Sequence, residues 1–550
     1  MPAASIALVS LLALAGQLPQ APATAGAQAA PPATATVRGH VVAADTGQAI
    51  RKAQVRITSM DAVNGRQREN RLAMTDADGH YEFANLAAGR YMITASKGAY
   101  IQLSYQQQRP DDQVNPLQIR DGQTIDRADF VLPRGAVLTG RIVDEYGDPL
   151  SNIQVAMIRS TWFNGIRRTM NAGRVASTDD LGEFRLFGVP PGDYYVQATW
   201  RSQIPVPPPG ARAEDNIGYA QTFFPGVADA GKAQKFTLNA GDMVTDLVFT
   251  MVSVNTATVS GRVTDSQGRP AQGSVMLMRD GSGGMATMGM GVRPDGTFAI
   301  AGVTPGNYTL RSQPGGPNGE IGTLDIVVAG ENISDLQLVT AGPSTISGRI
   351  VIDPSATAQP PTLALMAMPT ADTMFGGAFQ SSRMADDGSF ELRARPGRNR
   401  IALSTGGNGW QIRSVKVGGS DVTDDGVEVK PNQNVDRVEV EVTNRVTTVM
   451  GGITDARGEP VKNKGVIAFP QSRELRTGNP RYQSMGRTDD DGRYKMTGLP
   501  PGSYYIVALD RIEPGGAQDP DFLEKMAPNA TGFSLLEAET RVIDLRLIQP

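Results

Sequence analysis

The sequence of 550 residues contains no cysteine and only two histidines, His40 and His80. Zinc sites in proteins are built mainly from Cys and His ligands, so the ligand sets of common zinc hydrolases can hardly be assembled from this chain. Nucleophilic Cys–His pairs are excluded outright. Disulfide bonds are excluded as well, and each domain must therefore be held together by packing alone.

The chain also has little net charge and few aromatic residues. Lys and Arg total 52 against 56 Asp and Glu, a net charge of −4, which argues against a general binder of nucleic acid or anionic membranes. Aromatic residues make up 6% of the chain, whereas Gly (62) and Pro (37) are frequent. With 40% hydrophobic residues to build cores, this composition favours many short strands joined by tight turns.

The N-terminal segment differs from the rest of the chain. Ile6–Ala15 is an apolar run of about ten residues, too short to span a bilayer. It is followed by the small-residue motifs Ala23-Thr24-Ala25 and Ala27-Gln28-Ala29, which are typical of signal-peptide cleavage sites, although no basic residue precedes the run. We interpret 1–29 as a signal peptide and 30–35 as a disordered linker, the alternative being a disordered leader. The protein is then expected to be exported to the periplasm, cell surface or extracellular space, without a membrane span after signal removal.

Five segments repeat one pattern of residues. Each begins with a short apolar strand interrupted by Gly and continues to an acidic turn that closes on a second Gly, with an aromatic residue two positions later. A further Gly turn then leads to Tyr, except in the fourth copy, which has Asn399. The acidic-turn glycines are Gly79, Gly182, Gly296, Gly388 and Gly492. Their spacing of about one hundred residues is that of a whole domain and exceeds that of a solenoid unit.

The repeats predict five tandem domains joined by short linkers. Their expected limits are 36–133, 136–252 (with an insertion), 256–341, 344–444 (degenerate) and 446–549. Within a copy the apolar residues alternate, as in Tyr194, Val196 and Ala198, which is the period of a β-strand. No segment of helical period exceeds about ten residues, with Phe522–Met526 the best candidate for a helical turn. The predicted fold class is all-β, of sandwich type.

The copies resemble a known domain family. Residues 140–150 (GRIVDEYGDPL), 177–186 (STDDLGEFRL) and 189–196 (VPPGDYYV) are similar to the carboxypeptidase regulatory-like domain. The resemblance implies Ig-like/transthyretin-like β-sandwich domains, within a wider group of carbohydrate-binding-like folds, in an exported protein of a Gram-negative bacterium. The short linkers between the copies favour an extended, semi-rigid array. Copies 1, 2 and 5 match well, copy 3 is shorter, and copy 4 keeps the glycines and Phe390. Because these motifs are turn and core residues, they indicate the fold and say little about activity.

Enzymatic activity is not expected. A carboxypeptidase would need a His-x-x-Glu ligand pair, but His40 is followed by Val-Val-Ala and His80 by Tyr-Glu-Phe. No Gly-x-Ser-x-Gly nucleophile elbow occurs. We interpret His80 as a polar turn residue and His40 as an outward-facing strand residue, and we predict no catalytic residue and no cofactor.

Two sets of residues remain as binding candidates. Asp489, Asp490 and Asp491 precede Gly492 and resemble a calcium loop, although a hairpin turn explains the same residues without metal. Five aromatic residues of the second copy could form a ligand platform for a carbohydrate, or could belong to a late strand of the sandwich: Trp162, Phe163, Tyr219, Phe223 and Phe224.

The function that we predict is that of a non-enzymatic envelope or cell-surface scaffold or interaction protein. The alternative is a carbohydrate-binding protein that uses the aromatic residues of the second domain. The expected partners are a polysaccharide or another envelope protein, and the expected ligands exclude nucleic acid. The oligomeric state is left open.

Overall fold

The structure is a computed structural model, and it describes residues 34–548 with interruptions. The interruptions are 61–68, 111, 113, 115, 164–165, 201–216, 281–286, 315–319, 343, 361–362, 371–380, 405–408, 431–432, 477–479 and 514, together with the side chains of 163, 166, 287, 314 and 480. The predicted signal peptide, 1–29, lies outside the described residues, as does most of the predicted linker.

The strands fall into five consecutive groups, one for each repeat. The first group is β1 (Ala35–Ala43), β2 (Gln54–Ser59), β3 (Asn70–Met74), β4 (His80–Leu86), β5 (Gly89–Ser96), β6 (Leu103–Ser104), β7 (Leu117–Ile119), β8 (Thr124–Ile125) and β9 (Phe130–Leu132). The second is β10 (Ala136–Val143), β11 (Ile153–Phe163), β12 (Ile166–Ser177), β13 (Glu183–Val189), β14 (Gly192–Trp200), β15 (Ile217–Tyr219), β16 (Thr222–Phe223), β17 (Phe236–Leu238), β18 (Met243–Thr250) and β19 (Ser253–Asn255).

The third group has the fewest strands, and the fourth has two more. The third contains β20 (Ala257–Thr264), β21 (Gly273–Arg279), β22 (Thr287–Gly291), β23 (Thr297–Val303), β24 (Gly306–Pro314), β25 (Thr323–Val328) and β26 (Ile333–Val339). The fourth contains β27 (Ser344–Ile352), β28 (Ala364–Pro369), β29 (Ser382–Arg383), β30 (Ser389–Ala394), β31 (Gly397–Leu403), β32 (Gln411–Val417), β33 (Ser420–Asp421), β34 (Val427–Val429) and β35 (Val435–Thr443).

The fifth group carries the α-helix of the described chain. Its strands are β36 (Thr448–Thr454), β37 (Gly465–Pro470), β38 (Ser484–Arg487), β39 (Arg493–Thr497), β40 (Gly502–Leu509), β41 (Thr531–Leu535), β42 (Thr540–Val542) and β43 (Leu545–Ile548), and α1 is Pro520–Met526. Short 3₁₀ turns lie at Ala230–Lys232, Glu474–Arg476, Pro480–Tyr482, Gly516–Gln518 and Ala527–Asn529. The helix begins after Asp519, whose carboxylate accepts the amides of Asp521 and Phe522, so it starts two residues before the predicted turn.

Each group folds as two packed layers of strands, which in the fifth group are joined through β43 into one sheet. In the third, for example, β23-β20-β26 faces β22-β21-β24-β25, and the first strand of every group lies beside the strand after the acidic turn. The last strand pairs parallel with that first strand, as β18 does with β10 and β35 with β27. Each group has its own core, drawn from 35–132, 136–251, 257–338, 346–442 and 449–545. The prediction of tandem all-β sandwiches is therefore confirmed.

The repeated strand glycine has a steric explanation. A Cβ atom added to Gly140 would overlap the main-chain carbonyl of Leu247, and one added to Gly348 would overlap that of Val438. The pairing of the first and last strands is irregular at this point in both sandwiches, which brings the two backbones close together. Gly is therefore required by close backbone approach, one residue in each copy.

The fifth sandwich also contacts three of the other four sandwiches. The fifth sandwich contacts the first, where Arg109 Nη1 lies 3.2 Å from Asp510 Oδ2, and the fourth, where Arg413 Nη2 lies 3.0 Å from Glu537 Oε1. Gly515 packs against the backbone of Trp162 in the second sandwich. The contacts with the first and second sandwiches join copies that are distant in sequence, and the contact with the fourth borders a cleft that no single copy contains. Within the described residues, no helix has the length and apolar character needed to cross a membrane.

Candidate binding cleft between the fourth and fifth sandwiches

The fourth and fifth sandwiches meet through an ion-pair network centred on Arg413. Arg413, on β32, lies 3.1 Å from Asp353 Oδ2 within its own sandwich and 3.0 Å from Glu537 Oε1 of the fifth. The Asp353 side chain is only 1% exposed, and hydrogen bonds from Ser355 lower the pKa of its carboxyl to about 2. One guanidinium thus links a buried carboxylate to the neighbouring sandwich.

A second contact is made by the 3₁₀ turn Pro480–Tyr482 of the fifth sandwich. Arg481 Nη1 lies 3.3 Å from Asp424 Oδ1, and its Nη2 donates to the carbonyl of Arg413 at 2.9 Å. The Tyr482 hydroxyl donates to Asp424 Oδ2 at 2.6 Å, and burial raises its pKa to about 12. Arg400 Nε donates to the Asp424 carbonyl at 2.8 Å. Asp424 is therefore the point where the two sandwiches are joined by charge-assisted hydrogen bonds.

These contacts border a cleft of about 650 Å³. This volume lies within the range of about 300–1,000 Å³ that is usual for ligand sites. Its walls come from β28, β31 and β32 of the fourth sandwich, from the 447–538 region of the fifth, and from β12 of the second. Five arginines contribute to the lining, together with Trp410 and Glu537: Arg168, Arg400, Arg413, Arg445 and Arg481.

The cleft is rich in arginine and partly desolvated. Five arginines line it, of which Arg413 pairs with the carboxylates of Asp353, Glu441 and Glu537, and Arg481 pairs with that of Asp424. Burial lowers the pKa of Arg400, and the nearby carboxylates of Asp424 and Asp425 oppose that shift. Arg445 is exposed and forms no ion pair among the described residues. An anionic group entering the cleft would meet the planar hydrogen-bond donors of the guanidinium groups.

Two of the predicted aromatic ligand residues, Phe223 and Phe224, pack within the second sandwich, at the late strand that the alternative interpretation expected, and the ligand platform stays a prediction. Phe223 is 6% exposed and packs with Ala156 and Ile158 on the outer face of the second sandwich's sheet. The ring of Phe224 contacts those of Phe236 and Phe249, at centroid distances of 5.4 and 5.8 Å. Phe223 is buried, and Phe224 is partly buried against the core of the second sandwich.

The remaining three aromatic residues do not form one surface. Tyr219 packs edge-on against Trp200 at 5.5 Å, and its hydroxyl donates to Glu145 at 3.4 Å. Burial raises the Tyr219 pKa to about 12. Trp162 is half-buried near the end of β11 beside Gly515 of the fifth sandwich, and the side chain of Phe163 lies outside the described part of the chain.

The acidic turn of the fifth copy is organised by its own backbone. Asp489 Oδ1 accepts the amides of Asp491 at 3.0 Å and Arg493 at 2.8 Å, as the hairpin interpretation requires. Asp76 and Asp179 do the same in the first and second copies. In the described ranges, no three His, Cys, Asp or Glu side chains are grouped closely enough to hold a metal ion. Calcium binding by Asp489, Asp490 and Asp491 stays a prediction.

Sequence reasoning did not find the arginine cleft, because its residues come from three sandwiches. Arg168 and Arg481 are 313 residues apart, and no local spacing connects them. The one available signal was compositional. The chain has 52 Lys and Arg residues, and some of them, such as Arg400, lie within predicted strands.

Comparison with known proteins gives a family match for the first sandwich. Residues 36–133 match the model of the carboxypeptidase regulatory-like domain. The resemblance seen in the sequence is thereby confirmed for this copy. Nicotinic receptor-associated protein 4 of Caenorhabditis elegans is 26% identical over 233 residues, 39% of this chain and 19% of that protein. The chain thus spans about a fifth of the length of this relative.

Similar solved structures include a bacterial pilin and repeat units of a collagen-binding protein. A streptococcal ancillary pilin is 12% identical, covers 56% of this chain and 98% of its own, and has a TM-score of 0.20. Two B repeat units of the collagen-binding protein of Staphylococcus aureus are 12% identical, cover 75% of this chain and 100% of their own, and have a TM-score of 0.12. TM-scores this low mean that the whole chains do not superpose, so no functional conclusion is drawn from these similarities.

Proposed function

We propose that this protein is a non-enzymatic, exported binding and scaffold protein of the cell envelope or surface, with an acidic polysaccharide held between its fourth and fifth sandwiches. The observation that carries the proposal is the cleft of about 650 Å³ lined by five arginines from three sandwiches. The signal-like segment 1–29 supports export.

A carboxylate-bearing polymer fits this cleft better than a neutral sugar does. Guanidinium groups bind carboxylates through paired hydrogen bonds, and such bonds strengthen where water is partly excluded. A polysaccharide with repeated carboxylates can engage Arg400, Arg445 and Arg481 together, whereas a neutral glucan offers hydroxyl groups alone. The moderate overall charge of −4 makes binding through one concentrated basic patch more selective than binding through the whole surface.

The test is a calorimetric titration of residues 36–550 with polygalacturonate and, separately, with neutral dextran. We expect saturable binding of polygalacturonate that weakens at least ten-fold in Arg445→Gln and further in the double variant with Arg400→Gln, since each removes a charge-assisted contact. Arg120→Gln serves as the matched control, because Arg120 is exposed in the first sandwich, outside the lining of the cleft. Equal affinity for dextran, or equal losses in Arg445→Gln and Arg120→Gln, would contradict the proposal.

The carbohydrate-binding alternative now depends on one exposed aromatic side chain. Trp162 is the member of the predicted set that combines partial exposure with a position beside another sandwich. If a neutral glycan binds and Trp162→Ala abolishes that binding while Arg445→Gln does not, the second sandwich is the binding domain and the cleft is not.

A further inference from the structure

The two histidines of the chain, 40 positions apart in sequence, lie side by side in the structure. His40 on β1 and His80 at the start of β4 are direct cross-strand partners in the antiparallel pair. Their ring centroids are 4.0 Å apart and the ring planes are inclined by 55°. Both side chains are about half exposed. Because the chain has no other His and no Cys, this is where two nitrogen ligands can meet.

Each imidazole is backed by a carboxylate on its Nδ1 side. His40 Nδ1 lies 3.4 Å from Asp129 Oδ1, and His80 Nδ1 lies 3.5 Å from Asp76 Oδ2. A carboxylate at Nδ1 favours the tautomer that leaves the Nε2 lone pair available, which is the usual arrangement around metal-ligating histidines.

Both carboxylates are held in place by the backbone. Asp76 Oδ1 accepts the amides of Asp78 at 3.0 Å and His80 at 2.8 Å, so the acidic turn fixes the orientation of the carboxylate. Asp129 Oδ1 accepts the amide of His40 at 2.8 Å. The four side chains therefore form an ordered group on the surface of the first sandwich, and each carboxylate is fixed by the main chain of the histidine that it supports.

We propose that His40 and His80 bind a divalent transition-metal ion of the Zn²⁺, Ni²⁺ and Cu²⁺ class through their Nε2 atoms. Imidazole nitrogen suits these ions, whereas Ca²⁺ and Mg²⁺ require oxygen ligands. Two imidazoles supply two coordination positions, and water completes the set. The half-exposed position makes the ion exchangeable with solvent, unlike an enclosed structural zinc site.

The other sandwiches provide an internal comparison. The positions that match His40 and His80 in strand register are Arg141 and Glu183 in the second sandwich. In the third they are Arg262 and Thr297. These pairs sit on the same strands beside the same turn but lack imidazole. The site is therefore confined to the first sandwich, and one ion per chain is expected.

Zinc binding can be measured directly on the exported chain, 36–550, purified without a polyhistidine tag. Calorimetric titration with zinc chloride should give one site per chain. His40→Gln and His80→Gln should each weaken binding by at least ten-fold, and Asp129→Asn by about ten-fold, because the orienting carboxylate is lost while the acceptor for the His40 amide is kept. Asp148→Asn, in an exposed turn of the second sandwich, is the matched control and should bind zinc like the unmodified protein.

A second measurement needs no variant and so does not depend on the folding of one. With two histidines in the sequence, the imidazole signals in a proton–nitrogen NMR spectrum number two pairs. Both pairs should shift together and saturate at one equivalent of Zn²⁺. Imidazole signals that stay unchanged with excess zinc, or His→Gln variants that bind as tightly as the control, would overturn the proposal.

Discussion

The fourth and fifth sandwiches differ at one core position and share its hydrogen bond. In the fifth, the Tyr504 hydroxyl donates to the carbonyl of Pro500, four residues earlier, at 2.7 Å. In the fourth, Asn399 stands at the matching position, and its Nδ2 donates to the carbonyl of Arg395, again four residues earlier, at 2.8 Å. The amide takes over the bond of the hydroxyl, so this hairpin closes in the same way in both sandwiches.

What Asn399 does not replace is the ring. Tyr504 is 1% exposed and stacks on Phe533 at 5.7 Å. Asn399 is equally buried but smaller, and its Oδ1 has no hydrogen-bond partner among the described residues. Trp410 and Ile401 fill part of the fourth core. The comparison separates two roles of the conserved tyrosine, turn closure and core filling, which one residue performs in the other copies.

The largest effect is expected from removing the ring where it exists. Tyr504→Ala should destabilise the fifth sandwich by ~3–5 kcal/mol, since it leaves a cavity against Phe533 and an unpaired carbonyl. Asn399→Ala should lower the free energy of unfolding of the fourth sandwich by about 1 kcal/mol. The loss of the Nδ2 hydrogen bonds is destabilising, but it is partly offset because the unpaired Oδ1 is also removed, and the change in side-chain volume is small. Hydrogen exchange followed by mass spectrometry reports the opening free energy of each sandwich separately.

Equal losses in these two variants would contradict the separation of roles. Tyr91→Ala in the first sandwich provides a control, because Tyr91 makes the same bond to Ala87 and should behave like Tyr504.

The next prediction concerns the relative stability of the five sandwiches in the unmodified protein. The fourth sandwich should be the least stable of the five, by ~1–3 kcal/mol of missing aromatic burial. Amides of 388–403 should then exchange before the matching amides of the second and fifth sandwiches. Equal or slower exchange would mean that the additional strands β32 and β33, which widen one sheet of the fourth sandwich to five strands, compensate for the missing ring.

A smaller effect should distinguish the fourth sandwich at low pH. The folded-state pKa of Asp353 is about 2, below its ordinary value of 3.8, chiefly because Ser355 donates to the ionised carboxyl. A lowered carboxyl pKa contributes stability above the ordinary pKa, and this contribution is lost as the pH falls through the folded value. Exchange in β27 and β35 should therefore accelerate between pH 4 and 2, and Asp353→Asn should flatten that dependence. A variant with an unchanged pH profile would contradict this explanation.

The features that could be predicted from the sequence are those that one copy determines locally. Gly140 and Gly348 recur because a Cβ would meet the neighbouring backbone, and Asp489 recurs because its carboxylate closes a turn. Such constraints give a periodic signal, and they revealed the fold. The sequence left Phe223 open between a ligand platform and a late strand, because alternation cannot show that the second face of its sheet is also covered.

The binding features depend on contacts between segments that no spacing records. His40 and His80 were interpreted one at a time as surface residues, although the strand register that pairs them follows from aligning the repeats. The arginines of the cleft depend on how the fifth sandwich is placed against the fourth. Placement of this kind is set by a few ion pairs whose partners lie in different copies.

The smallest expected effect separates the hydroxyl from the ring in the same tyrosines. Tyr504→Phe keeps the stacking on Phe533 and removes the bond to Pro500, so it should cost about 1 kcal/mol, close to Asn399→Ala. Tyr194→Phe should cost more, because that hydroxyl also accepts a bond from Arg159 at 2.9 Å and donates to Pro190 at 2.8 Å. If hydrogen exchange shows Tyr504→Phe to be as damaging as Tyr504→Ala, the hydroxyl carries the stability of the hairpin. Asn399 would then be a full substitute for tyrosine, and the fourth sandwich would have no reason to be the weakest.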